Sequence, residues 1–151
     1  MFVRLALEDE VETIVELTRR NVEETKPGEP FDADRVRQVF FRYIDGAHTT
    51  VWVVEDKRQI IGFGHAGFSP YDYRAGFFAV QKVIYVVPEK RGTRAAVLLA
   101  KEQIAWATRL GADRLIGGND NSFNTDRTTK FLEHFGFERV GSAMVKRLTG
   151  T

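Results

Sequence analysis

Cysteine is absent from this 151-residue sequence, which excludes disulfides, thiolate metal sites and a cysteine nucleophile, and fits a reducing cytoplasm. An excess of one charge is lacking too. The 22 lysines and arginines stand against 21 acids, so no broad field favours nucleic acid or an anionic membrane, and any basic site must be local. No apolar run reaches membrane-spanning length, and the opening stretch from Met1 to Asp9 turns acidic too soon for a signal peptide. The Walker lysine-serine pair and the dinucleotide glycine pattern are missing, which disfavours a generic nucleotide-phosphate binder. Nothing in the spacing of His65, Asp120 and His134 brings them together, so no metal is expected. These absences predict a soluble cytoplasmic protein with no nucleic-acid or membrane partner.

Hydrophobic residues make up 43% of the chain and aromatics 12%, enough for a real core within one domain's length. No repeat, linker or second composition regime interrupts it, so residues 1–151 are expected to form a single mixed α/β domain. Phe2 to Leu5 alternates as a strand. Val11, Ile14, Val15, Leu17 and Val22 recur at helical spacing between Asp9 and Glu24, and a second amphipathic helix follows Lys26-Pro27-Gly28-Glu29-Pro30, from Asp32 to about Tyr43. Thr49–Glu55 and Gln59–Phe68 read as a hairpin across Asp56-Lys57-Arg58, with Gly62, Gly64 and Gly67 signalling a bulge or close backbone approach. A long strand from Phe77 to Val87, a helix from Thr93 to Leu110 and a strand from Arg114 to Gly118 come next. A last helix from Thr125 to Phe135 precedes strands at Phe137–Val140 and Ala143–Leu148.

The stretch from Lys82 to Ala96 organises the rest. From Val83 to Val87 every residue is β-branched or aromatic, as in a strand buried on both faces, and Pro88 ends the pairing. The turn then sets Lys90, Arg91 and Arg94 around Gly92 just before a helix start, so cations, free N–H groups and the positive end of the helix dipole converge. Such a turn suits an anion, and the small Ala95 and Ala96 leave room for a pyrophosphate over the first helical turn.

The run Ile84-Tyr85-Val86-Val87-Pro88-Glu89-Lys90-Arg91-Gly92-Thr93-Arg94-Ala95-Ala96 resembles the acetyl-CoA signature Arg/Gln-x-x-Gly-x-Gly/Ala of the GNAT superfamily of CoA-dependent N-acyltransferases. Arg91 and Ala96 match its ends, while Arg94 stands at the inner Gly. Leu132-Glu133-His134-Phe135-Gly136-Phe137 resembles the Tyr-x-x-x-Gly-Phe that closes the superfamily's last helix. The order of elements resembles that fold over nearly the whole chain. The resemblance implies a single-domain fold with a mixed, mostly antiparallel sheet of six to seven strands flanked by about four helices. It also implies acetyl-CoA as cosubstrate, its pantetheine on free backbone groups of Ile84, Val86 and Val87, and its pyrophosphate on Arg91, Gly92, Thr93, Arg94, Ala95 and Ala96. Asn124 and Thr128 at the last helix join this binding set.

The activity so implied is N-acetyl transfer from acetyl-CoA to a primary amine by direct attack. The alternative is a catalytically weak acyl-CoA-binding module acting as sensor or assembly component. The expected acceptor is a small molecule or a protein or peptide amine, and a homodimer is among the expectations. The Tyr that serves relatives as general acid falls on Leu132, which has no proton to give, and the family's strand-five Glu falls near Gly118. His65 and Asp120 are the candidate catalytic groups, although Asp120 and Asn124 also suit helix capping and His65 suits a plain strand position. The loops Thr25–Phe31 and Ser69–Gly76 are expected to border the acceptor, with Glu24, Glu29, Asp32 and Asp72 as acids suited to a cationic amine. His134 and His48 are expected at the surface.

Overall fold

The computed structural model describes residues 1–46, 49–118 and 123–149. They divide into two compact units, 1–116 and 117–151. In the first, the sheet order is β1-β2-β3-β4-β5, built from β1 (Phe2–Leu5), β2 (Thr49–Asp56), β3 (Gln59–Pro70), β4 (Phe77–Val86) and β5 (Leu115–Ile116). The first four strands pair antiparallel and β5 joins β4 in parallel. The helices α1 (Val11–Thr25), α2 (Ala33–Asp45) and α3 (Ala95–Leu110) complete this unit.

Side-chain alternation along β3 decides which helix covers which face. Phe63 and His65 meet Phe40 of α2, whereas Gly64 lies under Leu99 and Gln103 of α3. The α1/α2 and α3 layers therefore sandwich the sheet. Trp52 packs edge-on against Trp106 on the α3 side, and Ile14, Leu17, Val53 and Phe63 fill the opposite side. The β2–β3 turn consists of Lys57 and Arg58, both at positive φ (50° and 67°), so the hairpin takes the twist-matched two-residue turn without glycine or asparagine.

The second unit holds α4 (Thr125–Glu133). Its end is a Schellman cap: Phe137 N–H donates to Leu132 O (3.2 Å) and Gly136 N–H to Glu133 O (3.0 Å), with Gly136 at φ 90°. Buried Leu132 and half-buried Phe137 occupy the positions where such a cap makes its apolar contact. The Leu-x-x-x-Gly-Phe run thus has a direct structural reason.

Two expectations are corrected. The sheet has five strands among the described residues, not six to seven, because Phe137–Val140 and Ala143–Leu148 form none; Val140, Met144, Val145 and Leu148 are 76–93% exposed. Glu138-Arg139 and Lys146-Arg147 would each put a charge on both faces of a strand, and Gly141 parts the two segments. The fifth strand spans only Leu115 and Ile116 rather than Arg114–Gly118, since Gly118 turns at φ 123°.

Candidate functional site

β4 changes character at Lys82. Before it, Ala79 and Val80 pair with β3 on one side and with Leu115 and Ile116 of β5 on the other, and Ala79 N–H reaches Arg114 O at 2.9 Å. Gln81 faces Ala66 and Val83 faces His65, so Lys82 is an extra residue with no partner opposite, a β-bulge. A bulge bends its strand and terminates pairing. Beyond it β4 keeps only its β3 edge. Val87 N–H donates to Ile61 O (2.9 Å), so by two-residue alternation Ile84 and Val86 turn their N–H and C=O groups to the edge that β5 leaves open. Val87 itself is a correction to the expected set. Its N–H is committed to Ile61, and its carbonyl accepts from Lys90 N–H at 2.9 Å, as the chain curls into the short helical turn Pro88–Lys90.

Gly62 and Gly64 face this half of β4. A Cβ on Gly62 would lie 2.7 Å from Tyr85 O, and one on Gly64 2.9 Å from both Val83 O and the Gln103 amide. Close backbone approach, anticipated from the glycines, is therefore real at both positions. Gln103, which is fully buried, donates to Val83 O (3.2 Å) and accepts from the Gln81 amide (2.8 Å), tying α3 to both sides of the bulge. Sequence reading passed over Gln103. The available signal was a lone amide on the stripe Leu99, Ala100, Gln103, Ala107, all buried.

The turn after β4 brings Arg91, Gly92, Thr93 and Arg94 to the start of α3, which begins at Ala95 rather than Thr93. Gly92 has φ 83° with open space where a Cβ would stand, so its backbone is accessible to a ligand. The Thr93 hydroxyl donates to Lys90 O (2.6 Å) and accepts from Ala95 N–H (3.4 Å), closing the turn. Among the described residues no side chain caps Ala96 and Val97, which follow in the first turn, leaving their N–H groups for an anion. Lys90 stands 3.8 Å from Asp56, and Arg91 is paired bidentately with Glu24, whereas Arg94 makes no ion pair with the described residues. Arg91 Nε also donates to Val86 O at 3.1 Å.

On the α1/α2 face His65 sits among Phe40, Tyr43 and Phe63, with ring centroids 5.1–6.3 Å apart. It is buried and its Nδ1 has no hydrogen-bond partner among the described residues. Burial, helped by the nearby Lys82 charge, pushes its pKa down to about 4. The imidazole is thus neutral near pH 7 and poorly matched to deprotonating an ammonium of pKa about 8 to 10. Lys82 Nζ lies 5.3 Å from the Tyr43 ring centroid, so the bulge sets an exposed cation beside this aromatic group.

Two of the acids expected to serve a cationic acceptor are engaged elsewhere. Glu24 holds Arg91, and Asp32 caps α2 through Arg35 N–H (3.1 Å). Tyr71 and Arg74 of the loop before β4 are bound to Asp113. Asn124, at φ 49° before α4, and Thr128, whose N–H donates to Asn124 O (3.0 Å), belong to the second unit. His134 is exposed as expected. Asp120 and His48 lie outside the described residues. Among the described residues no group of histidine or acidic side chains could hold a metal, and no helix is long and apolar enough to cross a membrane.

The model of the GNAT acetyltransferase domain matches residues 47–139, more than half of the chain. The chain belongs to the GNAT family. A search of curated proteins finds no match. Among solved structures, the GNAT chain is similar to a transcriptional regulator from Bacillus halodurans C-125, at TM-score 0.78 and 17% identity over 97% of this chain and 98% of that one. It is similar to an aminoglycoside antibiotic 6'-N-acetyltransferase from Acinetobacter haemolyticus (TM-score 0.77, 14% identity, 100% of both chains). It is also similar to a predicted acetyltransferase solved with acetyl-CoA, from Clostridium acetobutylicum (TM-score 0.78, 15% identity, 96% and 94% covered). Identities this low speak for the shared GNAT fold alone.

Proposed function

We propose that residues 1–151 act as one N-acyltransferase domain that moves an acetyl group from acetyl-CoA to a primary amine. The observation that carries this reading is the continuity of the open edge at Ile84 and Val86 with the basic turn at Arg91–Ala96. The edge offers paired N–H and C=O groups to an amide-bearing chain, as an added strand would use them. Gly92 and the first N–H groups of α3, with Arg94 beside them, suit the phosphates at its end. Acetyl-CoA supplies the activated thioester. The chain's own contribution is to align it and to aim the Val86 N–H at the thioester carbonyl, where charge develops as the amine adds.

Direct attack fits a chain without cysteine. His65, buried and weakly basic, serves this reading better as a neutral wall of the acceptor side than as the proton acceptor. That leaves Asp120 or a water relay as the base. The acceptor side is formed by α2 and the bulge, and its class is a small-molecule or protein amine.

A second reading, an acyl-CoA-binding module with weak turnover, is favoured by one observation. Leu132, where relatives carry a proton-donating Tyr, is buried and fixes a helix cap. Calorimetric titration with acetyl-CoA, followed by assay of CoA release over a panel of amines, separates the two. Binding with turnover supports the transferase, binding without turnover the module, and no binding overturns both.

A further inference from the structure

We infer that Glu24 is a positioning residue that holds Arg91 in a closed clamp, so that a phosphate-bearing ligand binds by taking Arg91 from it. This rests on the cofactor site proposed above. All three guanidinium nitrogens of Arg91 are occupied within the chain: Nη1 and Nη2 bond the Glu24 carboxylate at 3.0 and 2.5 Å, and Nε bonds Val86 O at 3.1 Å. The second contact matters as much as the first. Val86 O is one of the groups that the open edge presents, and Arg91 covers it from within the chain.

The cluster beneath the clamp is incompletely bonded. The guanidinium lies 5.7 Å from the Tyr85 ring centroid, and the Tyr85 hydroxyl, 3% exposed as a residue, has no hydrogen-bond partner among the described residues. A buried polar group without a partner disfavours the arrangement that leaves it so. The clamp thus lies over a hydroxyl that has no partner among the described residues.

One turn earlier on α1 the structure supplies its own control. Arg20 bonds Glu89 (2.9 Å), joining the same helix to the same turn with the charges exchanged. That pair engages neither Val86 O nor a cation of the Gly92 turn. Removing the Glu89 charge changes the local field about as much as removing Glu24 but releases nothing that the ligand needs.

Glu24→Gln is therefore expected to tighten CoA binding about three- to fivefold, the upper part of the range for one half-exposed ion pair removed from the competition. The same substitution lowers the melting temperature, because α1 loses an anchor; a merely structural role would weaken binding and stability together. Glu89→Gln leaves CoA affinity within about twofold of the parent, and Glu24→Gln adds no gain in an Arg91→Ala background. Calorimetry with CoA as probe, alongside thermal unfolding of each variant, reads all of this. An unchanged or weaker affinity in Glu24→Gln overturns the clamp, as does an equal gain in Glu89→Gln or a gain that persists without Arg91. Absence of CoA binding in the parent and every variant overturns the cofactor site and the clamp together, whereas binding without the Glu24 effect overturns the clamp alone.

Discussion

The half of β4 before Lys82 is hydrogen-bonded on both edges, and the half after it on one. Both halves are equally strand-like in sequence, with Phe77-Phe78-Ala79-Val80 before and Val83-Ile84-Tyr85-Val86 after. Their difference comes from what lies opposite and beside them: the bulge, the two glycines of β3 and the Gln103 amide. A strand can thus be divided by its neighbours into a segment paired on both edges and a segment with one edge open. Residue type does not mark the border.

The largest expected effect on this division comes from His65, the partner of Val83 at the start of the open half. Its pKa of about 4 lies below the ordinary 6.5, so the neutral form is the one that folding favours. The resulting stabilisation, about 3 kcal/mol, is fully present above pH ~6.5 and is lost as pH falls towards ~4. Denaturant unfolding at pH 7 and pH 4 should show the parent losing more stability than His65→Gln, and parallel losses would mean an imidazole that titrates as if exposed. Gly62→Ala comes next, at about 2 to 3 kcal/mol, because its Cβ meets the Tyr85 carbonyl, part of a backbone that cannot swing aside. A neutral result in thermal unfolding would show that the two strands have slack there.

Gln103→Leu keeps the volume but strips the Val83 carbonyl and the Gln81 amide of their partner, at about 2 kcal/mol. If the amide holds the bulge, this variant should also lose CoA affinity, and an unfolding cost with unchanged affinity would confine Gln103 to the core. Arg94→Glu is the smallest, about tenfold in acetyl-CoA affinity with stability unchanged, since among the described residues Arg94 has no ion pair to lose. Hydrogen exchange sharpens the comparison in the same sample. Acetyl-CoA should slow the amides of Ile84 and Val86 and leave Ala79, already bonded to Arg114, as it was.

Much of the first unit was legible in the sequence because local chemistry determines it. Alternation located the first four strands to within two residues of their ends, and Gly111 marked the end of α3. The glycines of β3 announced close approach before any partner was known. Pairing across the chain was not legible. Glu24 and Arg91 stand 67 residues apart, and an acid near a predicted acceptor loop read as an acceptor contact when it is a counter-ion. Val87 looked like a continuation of the strand, yet its backbone is spent on Ile61 and on the turn. The two strands expected after Gly136 failed for another reason: the charges of Glu138-Arg139 and Lys146-Arg147 spoil both faces of a strand there.

On β3, Ala66 follows His65 directly, while their partners Gln81 and Val83 are separated by Lys82. Removing that one residue would leave each remaining pair intact and every side chain on the face it now occupies. In the ladder, Lys82 amounts to one residue more than β3 can pair. An extra residue of this kind spares the pairs on either side of it, and beyond it β4 has no β5 partner. One added residue is enough to open a strand edge while the pairs that hold the core stay as they are.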